Sequence, residues 1–388
     1  MRHGIGLVAF ACGATFGLGA SSATATDCSG VLSTCIDDDA LWPHAGPARF
    51  VAVGSAQTTA GGQLGFGLVS TYLSRPVVIH IKAPGGSGSD QYAVNDQVNG
   101  TFLWAYGVSD RLELDLALPI TFAQGGTGLA PVTGGQGLQQ TAQRDVRFGF
   151  AYALVPHPRD HRPSQANAEG WGLLARFEVS APTGDRSEFA GEGSGVYVPS
   201  VAADYRAHRW FAGAELGARV RPTTELLGAR IGTQIVTALG IGVDLMPREL
   251  LSATLEAWAL PTLAEQATLT SSYATTPDGN HIVPAEWQLS ARTSPLPGGD
   301  LSLQLGGGGP IGDEVLTRPR FRFTLGVRWA PQHGTVSRIA APLPPPPPTP
   351  TLDLRLAPSP DTCKDEPDLV DIFNEDTGCP SGHDEGSP

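Results

Sequence analysis

Apolar and polar residues alternate one by one along most of the middle of the chain. Between Phe321 and Trp329 every second residue is apolar, and the residues between them are Arg, Thr, Gly and Arg. The same period of two runs through 111–118 and 145–154. This period places successive side chains on opposite faces of a strand, and helical spacing is not sustained in these segments. The pattern therefore predicts an all-β fold.

Twelve segments share this alternation, and most are close to the roughly 9–11 residues that a tilted strand needs to cross a bilayer. They are 64–72, 102–108, 111–118, 145–154, 173–181, 197–205, 210–220, 235–245, 251–259, 287–293, 301–305 and 320–329. We therefore predict an antiparallel transmembrane β-barrel of about twelve strands, within a range of about ten to fourteen.

The links between these segments alternate in length, as they do in outer-membrane barrels with short periplasmic turns and long outer loops. Short links fall at 107–110, 206–209, 246–250 and 294–300. Long links fall at 74–97, 123–144, 182–196, 221–234, 260–286 and 306–319, and 156–170 is long where a short turn is expected. The first strand then starts, and the twelfth ends, on the short-turn side. Both termini are predicted to lie in the periplasm.

The second face of the predicted strands carries charges of both signs, which in a barrel would line a polar lumen while the apolar face meets lipid. These residues are Glu113, Asp115, Arg147, Arg176, Glu178, Glu215, Arg219, Asp244, Glu256, Arg292, Arg322 and Arg328. Twelve strands leave an interior between that of side-chain-filled eight-stranded barrels and open porins. Sequence alone leaves pore and plug both open, and we favour a filled or narrow lumen.

Tryptophans and glycines add two smaller expectations. Six tryptophans lie in or beside candidate strands, as aromatic girdles at the two membrane interfaces would place them. They are Trp104, Trp171, Trp210, Trp258, Trp287 and Trp329. The run Gly306–Gly309 lacks the Lys and the following helix of a phosphate-binding loop, so we expect a flexible outer loop there.

The N-terminus has the features of an export signal: a basic head, an apolar run from Ile5 to Ala20, and small residues up to Ala25. The predicted organisation is a signal peptide at 1–25, a periplasmic lead at 26–47, an outer-membrane barrel at 48–331, a Pro-rich linker at 332–360 and an acidic, disordered tail at 361–388. After the signal peptide the sequence contains no run of 18 apolar residues, so no transmembrane helix is predicted.

Four cysteines remain in the predicted mature chain, as two local pairs. Cys28 and Cys35 lie in the lead, and Cys363 and Cys379 bracket the tail. An even number in an oxidising compartment favours two disulfides. The net charge of −13 argues against a nucleic-acid partner, because phosphate binding needs clustered Lys and Arg.

Catalytic motifs are missing from the sequence, and we predict that the protein is not an enzyme. Polar residues that occur together in loops are explained by solvent exposure, because no spacing links them. His157, Asp160 and His161 share one link, where the alternative is a metal site. Ser187, Glu188, Asp278 and His281 lie in two others, where the alternative is an outer-membrane hydrolase with Ser, His and an acid on the rim. No cofactor is expected in the barrel.

The tail combines carboxylates, an amide and a glycine between two cysteines, a set suited to a hard cation such as Ca²⁺, which takes six to eight oxygen ligands. The candidate ligands are Asp361, Asp365, Asp368, Asp371, Asn374 and Asp376. The alternative is a solvated acidic tail without a bound ion.

The tail resembles a thrombospondin type 3-like repeat of OmpA-family outer-membrane proteins of the myxobacterial type. The matching residues are Asp361, Cys363, Asp365, Pro367, Asp371, Phe373, Asp376, Gly378, Cys379 and Pro380, and the barrel phrase from Tyr106 to Leu114, followed by Leu118 and Pro119, is similar as well. The resemblance implies a Ca²⁺-binding tail and, in full-length members, a peptidoglycan-binding domain. Leu369 stands where an acid is usual, and the chain stops at Pro388 without that domain, so peptidoglycan is not expected as a partner.

Two functions follow from these patterns. The first is an outer-membrane barrel with a structural role, or a narrow porin for small solutes, with outer-membrane lipid around it and a Ca²⁺-binding-like tail in the periplasm. The second is a secreted, soluble Ca²⁺-binding β-protein that acts as an adhesin.

Overall fold

The computed structural model describes residues 28, 30–81, 89–157, 169–271, 274–296, 300–312 and 315–331. The predicted signal peptide, the linker and the tail with its six candidate Ca²⁺ ligands lie outside these residues. The described residues all belong to one compact unit.

Twelve antiparallel strands form a closed barrel. They are β1 (Leu64–Ile81), β2 (Ser89–Gly107), β3 (Leu112–Gly125), β4 (Arg147–Val155), β5 (Gly170–Ser180), β6 (Val196–Ala207), β7 (Trp210–Arg219), β8 (Gln234–Asp244), β9 (Ser252–Ala259), β10 (Ala285–Thr293), β11 (Leu301–Pro310) and β12 (Phe321–Trp329). Each strand pairs with its neighbours in the chain, and β12 pairs with β1, with Leu68 opposite Val327. Closure leaves no free edge in the wall, as a sheet in hydrocarbon requires. The predicted fold class is confirmed.

The two faces of the wall differ as the alternation predicts. Along β12 the outward residues are exposed and the inward residues are buried, in strict alternation from Phe321 to Trp329. All twelve charged residues predicted to face the lumen are buried. The outer face carries Leu, Phe, Val and Tyr side chains that are exposed in the isolated chain.

Trp258 does not belong to an outer girdle. It shares the inward side of β9 with Thr254 and Glu256, and it is only 6 % exposed. Trp171 and Trp210, by contrast, are the most exposed of the tryptophans on the outer face. The prediction for Trp258 was wrong because lying in a strand does not show which face a residue occupies. Trp258 is an even number of residues from Glu256, so the two side chains point to the same, inward face.

Two predicted loops are strands instead. The 74–97 link is a hairpin extension in which β1 continues to Ile81 and β2 begins at Ser89. Val77 and Ile79 are buried there in an apolar cluster that also contains Ile36 and Leu226, which explains why pairing continues.

The run Gly306–Gly309 lies in β11 and pairs with β10 and β12. A Cβ on Gly308 would collide with the carbonyl oxygen of Trp287, so the close strand approach requires glycine. Without side chains these glycines show no alternation, and this is why the sequence did not reveal the strand.

The links define two rims. Of the described residues, the short-turn rim carries 108–111, 156–157, 169, 208–209, 245–251, 294–296 and 300. The long-loop rim carries 126–146, 181–195, 220–233, 260–271, 274–284, 311–312 and 315–320. Minor elements in the links are a helix (Ala130–Thr133), 3-10 turns (Arg186–Glu188 and Pro247–Glu249), a short strand (Ala142–Gln143) and two hairpins (Thr224–Leu226 with Ala229–Ile231, and Ala267–Ser271 with Ala274–Pro277). Within the described ranges, no helix is both long enough and apolar enough to cross a membrane.

Residues 30–63, which we call the plug, precede β1 and run through the barrel interior. At the long-loop rim the backbone N–H of Ser33 donates to the carbonyl of Glu225, at 3.1 Å. At the short-turn rim the N–H of Gly62 donates to the carbonyl of Gly107, at 2.7 Å, and β1 begins two residues later. The plug therefore spans the height of the lumen, and the expectation of a filled lumen is confirmed.

The path of the plug changes the placement of the lead. Cys28 forms the predicted disulfide with Cys35 at the long-loop rim, whereas the carbonyl of Pro331 accepts a hydrogen bond from Ala60 at the short-turn rim. The two ends of the described chain thus lie at opposite rims, whereas the alternation of link lengths predicts the lead and the end of the barrel on the same side. The termini themselves, and the second cysteine pair, lie outside the described residues.

Candidate functional site

The plug meets a layer of four arginines toward the long-loop rim, which we call the arginine layer: Arg144, Arg147, Arg219 and Arg322. They come from the 126–146 loop and from β4, β7 and β12, so they surround the plug.

Aspartates of the plug pair with two of these arginines. Arg144 pairs with Asp37 and, at 3.0 Å, with Asp38. Arg322 pairs with Asp39 at 2.7 Å, and its Nε and Nη2 donate to the two carboxylate oxygens of Glu286 at 2.8 and 3.0 Å. Such charge-assisted, partly bidentate bonds fix both distance and orientation.

The other two arginines hold the aromatic ring of Trp42. Their guanidinium carbons lie 4.7 Å (Arg147) and 4.2 Å (Arg219) from the ring centre, within cation–π range. Arg219 also donates to the carbonyl of Ala40 at 2.9 Å, and Arg147 to that of Pro43 at 3.4 Å. All four arginines therefore contact the segment 37–43 of the plug.

From below the arginine layer down to the short-turn rim, the wall presents carboxylates that bond the plug at successive depths. We call them together the carboxylate layer: Glu113, Glu178, Asp204, Glu215 and Glu256. His44 lies between two of them, with Nδ1 3.2 Å from Glu178 and Nε2 3.1 Å from Glu215.

Backbone N–H groups of the plug donate to the same carboxylates. The N–H of Gly54 donates to Glu215 at 2.7 Å, and those of Val51 and Ala52 donate to Glu256 at 2.9 and 2.8 Å. Ala56 bonds Asp204 in the same way, and Thr59 bonds Glu113. Because the plug has little regular structure, these wall side chains supply the acceptors that a helix or sheet would otherwise provide.

Phe50 is the main apolar anchor of the plug and is 4 % exposed. Its ring centre lies 5.4 Å from that of Phe211. Added Cβ atoms on Gly213 and Gly240 would lie 3.0 and 2.7 Å from the Phe50 ring, so these two glycines in the wall make room for it. Burying such a side chain stabilises the closed arrangement by roughly 1.5–3 kcal/mol.

A third set of charges lies near the short-turn rim. Arg49 of the plug pairs with Asp244 at 3.4 Å and with Glu249, and Glu249 also pairs with Arg292 at 3.2 Å. His157 is buried and pairs with Asp204. The expectation of a solvated turn was therefore wrong for His157, while Asp160 and His161 lie outside the described residues.

The loops at the long-loop rim are tied together by Asp145. Its carboxylate accepts hydrogen bonds from the N–H groups of Gly184 and Glu192, at 2.7 and 2.8 Å. Burial raises the pKa of Asp145 to about 6. This bridge joins the loop that carries Arg144 to the neighbouring 181–195 loop.

The loop residues considered for catalysis do not form one site. Ser187 donates to Glu188 at 3.2 Å, whereas Asp278 and His281 are exposed in the segment 274–284. Among the described residues, no hydrogen bond or ion pair joins Ser187 or Glu188 to Asp278 or His281. Among all the residues that the structure describes, no group of three or more His, Cys, Asp or Glu side chains could hold a metal ion.

These contacts define a twelve-stranded transmembrane barrel whose lumen is filled by its own N-terminal segment. No protein-family model and no curated protein sequence matches the chain. Among solved structures the chain is similar to the COG4313 outer membrane channel from Pseudomonas putida F1, with 15 % identity, coverage of 72 % of this chain and 99 % of the other, and a TM-score of 0.48. It is also similar to the toluene transporter TbuX of Ralstonia pickettii, with 13 % identity, coverage of 70 % and 90 %, and a TM-score of 0.32. These likenesses concern the fold alone.

Proposed function

We propose that the protein is an outer-membrane channel for small hydrophilic solutes, held closed by the plug. One observation carries the proposal: many charged groups of the wall find their partners on the plug and not on the opposite wall. Arg144, Glu178 and Glu215 pair with plug side chains, and Glu256 accepts plug N–H groups. When the plug leaves, these groups face an open space that water and ions can fill.

The outer surface supports a place in the outer membrane of a Gram-negative bacterium. Leucines, phenylalanines and tryptophans of successive strands are exposed there, including Leu239, Leu289 and Leu305, each half exposed or more. A soluble adhesin with such a belt would expose a large contiguous apolar surface to water, which soluble monomers avoid. The membrane function is favoured for this reason.

A purely structural barrel with a permanent plug is the second candidate. It is favoured by the apolar packing inside the lumen, where Phe50, Val51 and Val53 of the plug form one cluster with Phe211 and Trp258 of the wall. The two candidates differ in whether the barrel conducts once the plug is released.

Release of the plug tests the proposal. A protease site inserted between Gly61 and Gly62, at the short-turn rim, allows the folded, reconstituted protein to be cut just before β1. After a wash with urea below the level that unfolds the barrel, we expect stable ion currents in planar bilayers. The uncut protein should remain largely closed.

The matched control carries the same site at Gly134, which has open space around it in the 126–146 loop. Cutting there leaves the plug attached and should not raise the current. If the cut and washed barrel retains its folded migration on gels but carries no current, the structural role replaces the channel.

For the tail we propose Ca²⁺ binding by Asp361, Asp365, Asp368, Asp371, Asn374 and Asp376, as the resemblance to the OmpA family implies. Calorimetric titration of the full chain with CaCl₂ should give saturable binding, and Asp371→Asn should weaken it. Equal heats from the two proteins would contradict this assignment.

A further inference from the structure

The arginine layer holds a small polyanion that belongs to the chain itself. Asp37, Asp38 and Asp39 are consecutive, and their carboxylates pair with Arg144 and Arg322. The segment enters from the long-loop rim and reaches this layer first, before His44 and the carboxylate layer.

The wall provides few acids of its own at this level. Among the described residues, Arg144 forms ion pairs only with the plug, and Arg147 and Arg219 form none within 4.0 Å. Only Arg322 has an ion-pair partner on the wall, Glu286. Of the nearby acids, Asp145 beside Arg144 accepts the N–H groups of Gly184 and Glu192, and Glu178, one layer deeper, is engaged with His44. The layer is therefore strongly positive without the plug.

Several donors in the layer are left without partners. In the described part of the chain, Nε and Nη1 of Arg147 and Nε of Arg219 are buried and donate to no hydrogen-bond acceptor. The two residues are only 2 % and 7 % exposed. Buried donors of this kind carry a free-energy cost unless an acceptor is supplied. An oxygen-rich ligand would supply it.

Wall amides complete the arrangement. Asn99 donates to Asp39 at 2.9 Å, and Gln97 donates to Asp38 at 2.9 Å. Arg144 Nη1 lies 3.3 Å from the hydroxyl of Thr121. Arginines with fixed amide donors between them match the planar, two-oxygen geometry of carboxylates.

We propose that the arginine layer is the binding site for a small organic anion with two or three carboxylates, and that Asp37–Asp39 occupy this site in the closed state. The proposal rests on the channel function above and names the solute class. A solute that binds only when the plug is displaced multiplies the ratio of open to closed protein by one plus its concentration divided by its dissociation constant. In the closed state the aspartates pair with Arg144 and Arg322, and Trp42 covers Arg147 and Arg219. The solute therefore competes with the whole segment 37–43 for the four guanidinium groups.

The test uses the full chain with Asp37→Asn, Asp38→Asn and Asp39→Asn combined, which keeps the shape of the segment and removes its charge. We expect this variant to open far more often than the parent. Its reversal potential in a KCl gradient should show preference for chloride, and citrate added on the long-loop side should block the chloride current. Inorganic phosphate and mannitol serve as comparison solutes.

Replacing Arg147 and Arg219 by Gln in the triple-Asn background should abolish the citrate block, with a loss of affinity of about tenfold per arginine. Arg328→Gln is the matched control, because Arg328 is a buried lumenal arginine of β12 outside the layer. Migration of unheated samples on gels verifies that each variant is folded. If the double replacement does not fold, calorimetric titration of citrate into the triple-Asn protein and its Arg219→Gln derivative makes the same comparison.

The outcomes separate the two proposals. Absence of current in every variant, including the cut and washed protein, defeats the channel function. Currents that prefer potassium, or that citrate does not block, overturn the anion site while leaving the channel intact. Equal block by phosphate and citrate overturns the carboxylate class, and block that survives the arginine replacements overturns the assigned residues.

Discussion

Replacing Phe50 by alanine is expected to raise the open fraction of the reconstituted barrel by about a hundredfold or more. Truncation of a buried phenylalanine costs about 3–5 kcal/mol, and each 1.4 kcal/mol is a factor of ten in an equilibrium constant. Phe50 contacts the wall only while the plug is seated, against Phe211, Gly213 and Gly240. The loss therefore falls mainly on the closed state.

Single-channel recording measures the open fraction directly. Phe148→Ala is the control, because Phe148 lies on the outer face of β4 and is 49 % exposed. It removes the same side chain without touching the plug, so the open fraction should stay at the parental value. An unchanged open fraction for Phe50→Ala would mean that the plug does not leave the lumen during opening.

The wall of the barrel was predictable from sequence because its cause is local. Lipid outside and a polar interior impose opposite requirements on successive residues, so the period of two appears wherever side chains report it. Arg322 and Arg328 could be assigned to the lumen from parity alone, and both are buried there. The alternation is not visible at Gly306–Gly309, because glycines have no side chains that would mark the inner and outer faces of the strand.

The plug was not predictable in this way because its contacts join distant parts of the chain. Asp39 pairs with Arg322, 283 residues away, and His44 with Glu215, 171 residues away. One signal in the sequence does indicate a buried segment. The stretch from Leu41 to Val53 contains Trp42 and Phe50 without strand alternation, and so much apolar surface is unsuited to a solvated periplasmic segment.

A disulfide between the plug and the wall is expected to lower the open fraction of the barrel, the opposite of the effect of Phe50→Ala. An added Cβ on Gly54 lies 3.2 Å from the Cβ of Ala202, close to the roughly 3.5–4.5 Å of a disulfide. Its other near neighbours are the flexible ends of Arg176 and Glu215, which can shift. Gly54→Cys with Ala202→Cys should therefore oxidise readily and hold the plug in place.

The control moves one cysteine by one residue. Ala202 is buried on the inner side of β6, whereas Ala203 follows it on the opposite face. Gly54→Cys with Ala203→Cys should therefore not cross-link. The parent protein treated with the same reductant accounts for any effect of reducing Cys28–Cys35.

Single-channel current in the Phe50→Ala background, recorded before and after reduction of the Gly54→Cys/Ala202→Cys pair, tests plug-controlled closure most directly. We expect no openings while the disulfide is intact, frequent openings after reduction, and no such dependence in the Ala203→Cys control. Currents that continue unchanged with the oxidised lock in place would contradict closure by the plug.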